Sequence, residues 1–426
     1  MIWLAGAVVA AAALLGAPLF AVVFAAAMVG FVASGIDLTV VAGEVYRIVD
    51  TPFLVALPFF TFAGYVLAEA RTSQRLVQLV QSLFGWMPSG FAIVSLVTCA
   101  FFTALTGASG VTIVALGALL LPALRSSGYG ERYSLGLVTS SGSLGLLLVP
   151  SVPLILYGVI ANQQPAGRFE LADLFVAGLL PALLMVVMLS AYTLWHTRHS
   201  PPPRHPFELT RVNEALVAAR WELPLPFVVL GGIYGGVFAV SEAAAVTALY
   251  VTIAEVLLYR EVTFGRLGAL VIDSMVMVGG ILLIIGAAFA LTNYLIDAEV
   301  PQRLFDLLRE HVQSKVAFLI LLNVLLLAIA AVLDVFAALV IMVPLIVPAA
   351  LQFGVHPVHL GIIFLANLQI GYFTPPMGLS LFIASYRFGR PITELYAACL
   401  PFMWVLVVAL LLITYVPGLS LAFVGD

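Results

Sequence analysis

The polar residues best suited to chemistry lie in two interruptions of otherwise apolar segments. The first combines a loop, Thr106-Gly107-Ala108-Ser109-Gly110, with a break, Val149-Pro150-Ser151-Val152-Pro153. Hydroxyls and open carbonyls with few formal charges suit a monovalent cation such as Na⁺, and the amino end of a half-helix favours an anion. The predicted cation ligands are Thr106, Gly107, Ser109, Ser143, Pro150 and Ser151. The predicted anion ligands are Ser109, Gly110, Ser140 and Ser141.

The second interruption, Phe373-Thr374-Pro375-Pro376, is accompanied by an acidic residue within an apolar run. An unpaired ionisable side chain inside a membrane is costly, so Asp334 is by default a functional residue. The alternative is a structural aspartate that is protonated or hydrogen-bonded. If Asp334 binds a cation, the second site carries more charge than the first. The predicted ligands are Leu333, Asp334, Gly371, Thr374 and Pro375 for the cation, and Asn367 and Pro376 for the anion.

The two interruptions occupy equivalent places in an internal repeat. Three residues recur in register 226 positions later: Pro122, Gly128 and Pro150 correspond to Pro348, Gly354 and Pro376. A proline inside a helix removes a backbone donor, and in hydrocarbon such irregular backbone survives only where it is buried or lines a polar cavity. Matching breaks in two chain halves point to the binding site of a transporter. The alternative is that the small residues only allow close helix packing.

Composition places the chain in a membrane. Of its 426 residues, 63% are hydrophobic and 9% are charged, and the mean hydropathy is +1.17. Soluble domains carry about 25% charged residues. The apolar runs last ~20 residues without alternation, which predicts helices as the spanning elements. We predict an all-α polytopic membrane protein, and the dispersed net charge of −4 offers no basic patch for nucleic acid.

Each repeat is predicted to contain scaffold spans, an amphipathic interfacial helix, a re-entrant hairpin and a broken span. The first repeat covers 1–195, with these last three elements at 71–86, 88–124 and 132–161. A linker follows at 196–223. The second repeat covers 224–417, with the corresponding elements at 299–314, 316–351 and 357–388, and residues 418–426 form a tail. The first helix, over 2–33, is predicted to kink near Pro18.

Basic residues set the predicted orientation, because cytoplasmic loops carry an excess of Lys and Arg. Twelve of the 17 fall on one side of the predicted spans and five on the other. The richer side, which includes the linker, is therefore predicted to be cytoplasmic. The two hairpins then enter from opposite faces, so the repeats are inverted, with the N-terminus inside and the C-terminus outside.

Other titratable residues give weaker signals. Glu242 is equally compatible with a helix-start residue and a ligand, while Glu255 and Asp273, near helix ends, are expected at the surface. The single lysine, Lys315, follows no glycine-rich loop, so no phosphate-binding loop is present. The sequence also has no nucleophile elbow, no paired catalytic carboxylates and no Cys/His cluster. We therefore predict neither an enzyme nor a metal other than Na⁺.

These motifs resemble the large membrane subunit of TRAP (tripartite ATP-independent periplasmic) transporters, in the ion-transporter superfamily. The resemblance covers nearly the whole chain. Its most specific part runs from His356-Pro357-Val358-His359 through Asn367 and Thr374-Pro375-Pro376 to Gly378. The other anchors are the first loop and break, Tyr157-Gly158, Ser241-Glu242-Ala243-Ala244-Ala245 and Leu333-Asp334.

The resemblance implies an elevator-type permease of the bacterial inner membrane that imports small organic anions, typically carboxylates. It implies Na⁺ as the coupling ion, no cofactor, a separate small four-helix membrane subunit and a periplasmic substrate-binding protein. In this mechanism the hairpins and broken spans move as a block past the scaffold. Many members have Ser-Gly-Ser at the first tip and an aspartate shortly after. This chain has Thr106-Gly107-Ala108 and Thr112 there, so its first cation site departs from the family pattern.

Two other functions are compatible with the same residues. A symporter of the same superfamily would work without a binding protein, and uptake by this chain alone would identify it. A channel would need pore-lining residues but no hairpin movement, and single-channel conductance would identify it.

Overall fold

The computed structural model describes residues 2–15, 17–46, 52–87, 89–106, 109–149, 151–163, 168–198, 207–234, 237–300, 302–303, 305–306, 312, 314–376 and 378–424. Gly107 and Pro150 of the predicted cation site lie outside the described residues, as does half of the predicted interfacial helix at 299–314. All regular structure within the described residues is helical.

The first part of the chain, up to the linker, contains eleven described α-helices and two 3₁₀ turns, at Pro52–Val55 and Leu144–Leu147. The helices are Ile2–Leu14, Leu19–Ala33, Thr39–Tyr46, Ala56–Glu69, Thr72–Phe84, Gly90–Thr106, Ser109–Ser126, Glu131–Ser141, Val152–Ala161, Leu171–Ala177 and Leu179–His196.

The remaining described helices include a π-helix at Ile253–Leu258. The α-helices are Leu209–Ala218, Pro224–Tyr234, Val240–Thr252, Phe264–Asp297, Lys315–Ala330, Val335–Gln352, Pro357–Gly371, Leu379–Phe388, Ile392–Tyr415 and Gly418–Leu421.

Six helical segments in the described residues are long and apolar enough to cross a membrane, or seven if one broken pair is counted as a span. The prediction of an all-α polytopic membrane protein is confirmed. The remaining apolar helices are shorter, 10 to 17 residues, and they include both arms of the second break. At about 1.5 Å per residue, such helices fall short of the ~30 Å hydrocarbon core.

Local sequence explains where several helices begin. The predicted first helix is interrupted between Leu14 and Leu19, next to Pro18. A short helix, Thr39–Tyr46, follows the helix Leu19–Ala33. The long helix Phe264–Asp297 begins where it does because Thr263 Oγ1 accepts a hydrogen bond from Arg266 N (3.3 Å) and caps it.

The same order of elements occurs in both halves. The first hairpin comprises Gly90–Thr106 and Ser109–Ser126, and the first broken span comprises Glu131–Ser141 and Val152–Ala161. The second hairpin comprises Lys315–Ala330 and Val335–Gln352, and the second broken span comprises Pro357–Gly371 and Leu379–Phe388. The second arm of each hairpin packs on the broken span of the other half. These four elements form one body, which we call the core block.

The scaffold is a separate set of helices packed beside the core block. It consists of Leu19–Ala33, Ala56–Glu69, Val240–Thr252 and Phe264–Asp297, which contact one another closely. The centre of the molecule lies in the core block, where every residue of Pro357–Gly371 is buried. A helix that is apolar nearly all round belongs in such a buried position.

A buried ionic cluster joins the two halves, and it corrects the expectation for Glu255. This side chain is fully buried, not at the surface, and both its oxygens accept hydrogen bonds from Arg75 Nη2 at 3.1 Å. Arg75 also bonds Glu222 and, at 2.7 Å, Glu261. Its guanidinium lies 3.8 Å from the centre of the Tyr259 ring. Buried charges require such pairing. The sequence did not reveal the pairing of Glu255 with Arg75, because the two residues lie far apart along the chain.

Candidate functional site

The two breaks meet at the centre of the core block. Ser143 Oγ donates a hydrogen bond to the Gln369 carbonyl oxygen at 3.0 Å. Ser143 and Gln369 are themselves repeat mates, 226 positions apart. Direct contact between equivalent residues indicates that the equivalent interruptions face each other, so ligand groups from both can act on one site.

The first break extends further than its prolines suggest. The helix ends at Ser141, a 3₁₀ turn follows at Leu144–Leu147, and helix resumes at Val152. Gly145 lies in this turn against the backbone of Ala100 and Ala104 in the first hairpin, where a Cβ atom would not fit. The absence of a side chain thus allows the hairpin and the break to touch through their backbones.

Hydroxyls line the contact between the first hairpin and this break. Thr103 Oγ1 donates to the Gly142 carbonyl oxygen at 3.0 Å. Since it has a single hydrogen, it accepts the hydrogen of Thr112 Oγ1, which lies 2.7 Å away. The first tip is therefore polar but carries no ionised side chain among these groups.

The second break runs from Tyr372 to Gly378 and includes a cis peptide bond between Pro375 and Pro376. The helix before it ends at Gly371, which packs directly on Ala330 of the second hairpin. Thr374 Oγ1 donates to the Ile370 carbonyl oxygen at 2.8 Å. The break is thus closed against the tip of the second hairpin, as the first break is against the first hairpin.

Asp334 caps the second arm of the second hairpin. Its Oδ1 atom accepts hydrogen bonds from Phe336 N (2.7 Å) and Ala337 N (3.1 Å), which are free donors at the amino end of the helix. The Asp334 side chain is exposed, and Oδ2 accepts no hydrogen bond from the described residues. One carboxylate oxygen therefore has a structural role, while the other is available to a ligand.

A cavity of about 530 Å³ separates the hairpin tips from the scaffold. Four helices have their first or second residue in its wall: Ser109, Pro153, Phe336 and Leu379. The amino end of a helix carries unsatisfied N–H groups and partial positive charge. At the helix that contains Phe336, Asp334 already accepts hydrogen bonds from the free N–H groups. The helices that begin after Ser151 and Gly378 have no side-chain cap. The cavity is therefore suited to an anion.

The scaffold forms the opposite wall of the cavity. Tyr65, Ala68 and Met277 line it, and the Tyr65 hydroxyl donates to Met277 Sδ at 3.4 Å. Beside the cavity, Gly64 touches the first tip, since a Cβ atom there would lie 2.7 Å from the Thr106 carbonyl oxygen. A smaller cavity of about 220 Å³ adjoins it and contains the Glu69–Arg266 ion pair, whose atoms are 2.8 Å apart.

The structure brings two of the six predicted anion ligands to this cavity, Ser109 and Gly110. Ser140 and Ser141 instead donate to carbonyls of their own helix, at 2.7 Å and 3.3 Å. Pro376 is outside the lining, and its carbonyl accepts from the Tyr396 hydroxyl at 2.6 Å.

Asn367, the sixth, belongs to a buried polar chain outside the lining. Its Nδ2 atom donates to Asn323 Oδ1 at 2.8 Å, and Asn323 Nδ2 donates to Thr414 Oγ1 at 3.1 Å. The Thr414 carbonyl faces His359 Nε2 at 3.2 Å. These bonds occupy the Asn367 amide nitrogen, so it is committed to the interior of the core block.

The predicted cation ligands that are described cluster at the two tips and breaks. Thr106 Oγ1 donates to its own helix at Phe102, and Leu333 lies in the second tip, before Asp334. Ser151 has a buried hydroxyl without a hydrogen-bond partner, and Ser380, just after the second break, has another. They are two of seven such hydroxyls among the described residues, and their position at the breaks leaves them available to a polar ligand. Sequence reasoning did not identify Ser380, Thr103 or the cavity residues Tyr65 and Met277.

Comparison with known proteins identifies the family. Residues 3–419 match the model of the DctM component of tripartite ATP-independent periplasmic transporters. The chain belongs to this family. TRAP large permeases are transporters, and with its apolar helices the chain is a multi-pass protein of the bacterial inner membrane.

Three relatives show how far the similarity extends. The isethionate TRAP permease DctMQ of Oleidesulfovibrio alaskensis is 34% identical over 94% of this chain, which spans 62% of that protein's length. The C4-dicarboxylate TRAP large permease DctM of Rhodobacter capsulatus is 32% identical, covering 92% of this chain and 91% of that one. The ectoine/5-hydroxyectoine large permease UehC of Ruegeria pomeroyi is 28% identical over 96% and 95%.

A solved structure shares the fold. The YdaH transporter of Alcanivorax borkumensis aligns with a TM-score of 0.61 at 17% identity, covering 91% of this chain and 88% of that one. At this identity the likeness concerns the arrangement of helices and not the ligand.

Proposed function

We propose that this chain is the permease subunit of a Na⁺-coupled, binding-protein-dependent transporter that imports small organic anions. The observation that carries the proposal is the cavity between the hairpin tips and the scaffold, because the amino ends of several half-helices meet in its wall. An amino end is equivalent to roughly half an elementary positive charge. Several such ends would hold a carboxylate without an ionised base, and discontinuous helices in transporters do this.

The coupling ion would bind beside the anion. The orphaned Ser151 hydroxyl and the Thr103–Thr112 pair would contribute to a first site, and Asp334 Oδ2 to a second. Neutral oxygens and one carboxylate suit Na⁺ better than a divalent cation, which usually recruits more carboxylates. The described residues include no cluster of three His, Cys, Asp or Glu side chains that would hold another metal.

Movement of the core block past the scaffold would carry both ligands. The block is held together by hairpins packed on the broken spans of the opposite half, and it touches the scaffold through small contacts such as Gly64 with Thr106. A surface without large interlocking side chains at this point allows one body to slide on the other. This arrangement supports an elevator movement.

Two partners complete the proposed transporter: a separate small four-helix subunit and a periplasmic binding protein. The relative named DctMQ is matched over 62% of its length, whereas the relatives named DctM from Rhodobacter capsulatus and Pseudomonas aeruginosa are matched over 91% and 85%. The family match and these named permeases support a small membrane subunit as a partner. The relatives named for C4-dicarboxylates, isethionate and ectoine support an organic substrate of small size.

Reconstitution tests the function. The large and small subunits, purified together, are placed in liposomes, and uptake of labelled organic acids is measured with the binding protein outside. We expect uptake only with an inward Na⁺ gradient. Equal uptake in a K⁺ gradient would reject Na⁺ coupling, and equal uptake without the binding protein would identify the self-sufficient symporter. Single-channel current in planar bilayers would identify a channel.

A further inference from the structure

The wall of the main cavity is chemically uneven. Its polar groups among the described residues are Ser109 and Gly110 at the first hairpin tip and the hydroxyls of Tyr65 and Tyr372, and none of them is a charged side chain. The rest is mostly carbon, contributed by both the core block and the scaffold: Val114, Met277, Phe336, Leu379 and Ile383. A ligand in this cavity therefore meets hydrogen-bond donors at one end and apolar side chains along its body.

No lysine or arginine is among the described residues that line this cavity. Arg387 lies outside the lining, and its Nε atom donates to the Val114 carbonyl oxygen at 3.1 Å, on the side of the first tip. Arg266 lines the adjoining smaller cavity, where its Nε atom lies 2.8 Å from Glu69 Oε1. That arginine is neutralised by its own partner. A second negative charge on the ligand would thus find no cation opposite the first tip.

The second hairpin tip does not supply a second anion site either. Its helix amino end is already capped by Asp334, whose Oδ1 atom takes the N–H groups of Phe336 and Ala337. The Asp334 carboxylate offers no hydrogen-bond donor, and the Na⁺ ion proposed there would be engaged by Asp334 itself. An anionic group on the ligand is therefore favoured at the Ser109 end and disfavoured at the Phe336 end.

From this asymmetry, and resting on the proposed function, we propose that the cavity selects a monoanion with an apolar body. The class includes aliphatic, branched or aromatic monocarboxylates, and it excludes short dicarboxylates. A carboxylate buried against Met277 and Phe336 loses its hydration and meets no cationic side chain there among the described residues, only the Tyr65 hydroxyl, which donates to Met277 Sδ. An alkyl or aryl body in the same place is stabilised by the removal of its apolar surface from water.

A matched pair of six-carbon acids tests the proposal: hexanoate has one carboxylate and adipate has two. The complex of large and small subunits is placed in nanodiscs, and binding of each acid is measured by calorimetry with Na⁺ and with K⁺. We expect hexanoate to bind at least about tenfold more tightly than adipate in Na⁺. The second carboxylate of adipate would be buried without a cation, and this burial weakens binding by more than about tenfold. Equal or tighter binding of adipate would overturn the proposal.

The two ionic conditions separate this inference from the function on which it rests. Na⁺-dependent binding of adipate in preference to hexanoate would retain anion transport and reject only the apolar-body selectivity. Binding of neither acid in either salt would overturn both. Binding of hexanoate that is the same in Na⁺ and K⁺ would support the selectivity and reject the coupling.

Met277→Lys provides a reciprocal test, because it places a cation on the scaffold wall opposite the first tip. We expect the preference for hexanoate over adipate to fall by about tenfold or to reverse. Gly279→Ala, on the same scaffold helix but outside the cavity lining and with no atom near the added methyl, is the control and should retain the wild-type preference. An unchanged preference in a folded Met277→Lys variant would show that Met277 does not face the ligand. If that variant does not fold, the wild-type comparison of the two acids still decides the proposal.

Discussion

The two hairpin tips are equivalent in the repeat but differ in how they carry charge. At the first tip, neutral hydroxyls bond one another and a backbone carbonyl, through Thr103, Thr112 and Gly142. At the second tip, the carboxylate of Asp334 caps a helix with one oxygen and leaves the other available. The difference teaches that inverted repeats need not produce equal sites. One tip depends on dipoles and the other on a formal charge.

Removal of the Asp334 charge is the largest expected perturbation. Asp334→Ser retains an oxygen that caps Phe336 N, whereas Asp334→Ala loses both the cap and the charge, with a further cost of ~1 kcal/mol in stability. We expect Na⁺-driven uptake in proteoliposomes to fall to background in both variants, and only the alanine variant to unfold at lower temperature. Wild-type Na⁺ dependence in Asp334→Ser would remove the carboxylate from the cation site.

Each tip makes one close contact with a glycine, within the core block at the second tip and with the scaffold at the first. Alanine substitutions distinguish the roles of these two contacts. Gly371 packs on Ala330 inside the core block, so Gly371→Ala should cost about 1–3 kcal/mol of stability through overpacking. Gly64 touches Thr106 across the boundary with the scaffold, so Gly64→Ala should slow uptake with a smaller loss of stability.

Thermal unfolding and initial uptake rates measure the two effects separately. Gly279→Ala, on a scaffold helix with no atom near the added methyl, is the control and should alter neither. If Gly64→Ala lowers stability as much as Gly371→Ala and leaves uptake intact, the boundary between scaffold and core block is not where movement occurs.

Thr112→Asp would make the first tip resemble the second by adding a carboxylate next to Thr103. An additional anionic ligand should strengthen Na⁺ binding, by about tenfold if it contacts the ion directly. The Na⁺ concentration for half-maximal uptake reports this change. Thr112→Asn supplies a neutral side chain of the same shape and should not strengthen binding. Weaker Na⁺ binding in the aspartate variant would place the ion elsewhere.

Ser140→Ala should have the smallest effect. Its hydroxyl donates to the Gly136 carbonyl of its own helix, and that carbonyl is already engaged in helix bonding, so little is lost beyond a weak extra interaction. We expect uptake and Na⁺ dependence within about twofold of wild type. A loss of uptake comparable to that of the Asp334 variants would return Ser140 to the anion site.

Sequence reasoning located the elements of the site because their signals are local. Prolines, glycines and hydroxyls contrast with an apolar chain, and helix breaks follow from them directly. Ser109 and Gly110 were found in this way and do line the cavity. The same contrast misled at Ser140 and Ser141, since hydroxyls in an apolar helix can also be satisfied by their own backbone.

Residues brought in by tertiary packing could not be predicted. Tyr65 and Met277 are 212 positions apart and are ordinary residues in an apolar chain, so nothing local marks them as cavity residues. Glu255 was expected at the surface because its partner, Arg75, lies 180 positions earlier. Pairings over such distances depend on how helices pack, and a single sequence does not reveal that.

The Arg75 cluster bears on how the polypeptide can be divided. Arg75 lies before the linker, while Glu222, Glu255 and Glu261 lie at or beyond its end, so their bonds join the two halves without relying on the covalent connection. Fragments 1–200 and 207–426, produced as separate polypeptides in one cell, should therefore recognise each other and assemble. Arg75→Glu should abolish assembly of the two fragments, whereas the intact chain, whose halves are joined covalently, should lose less of its stability.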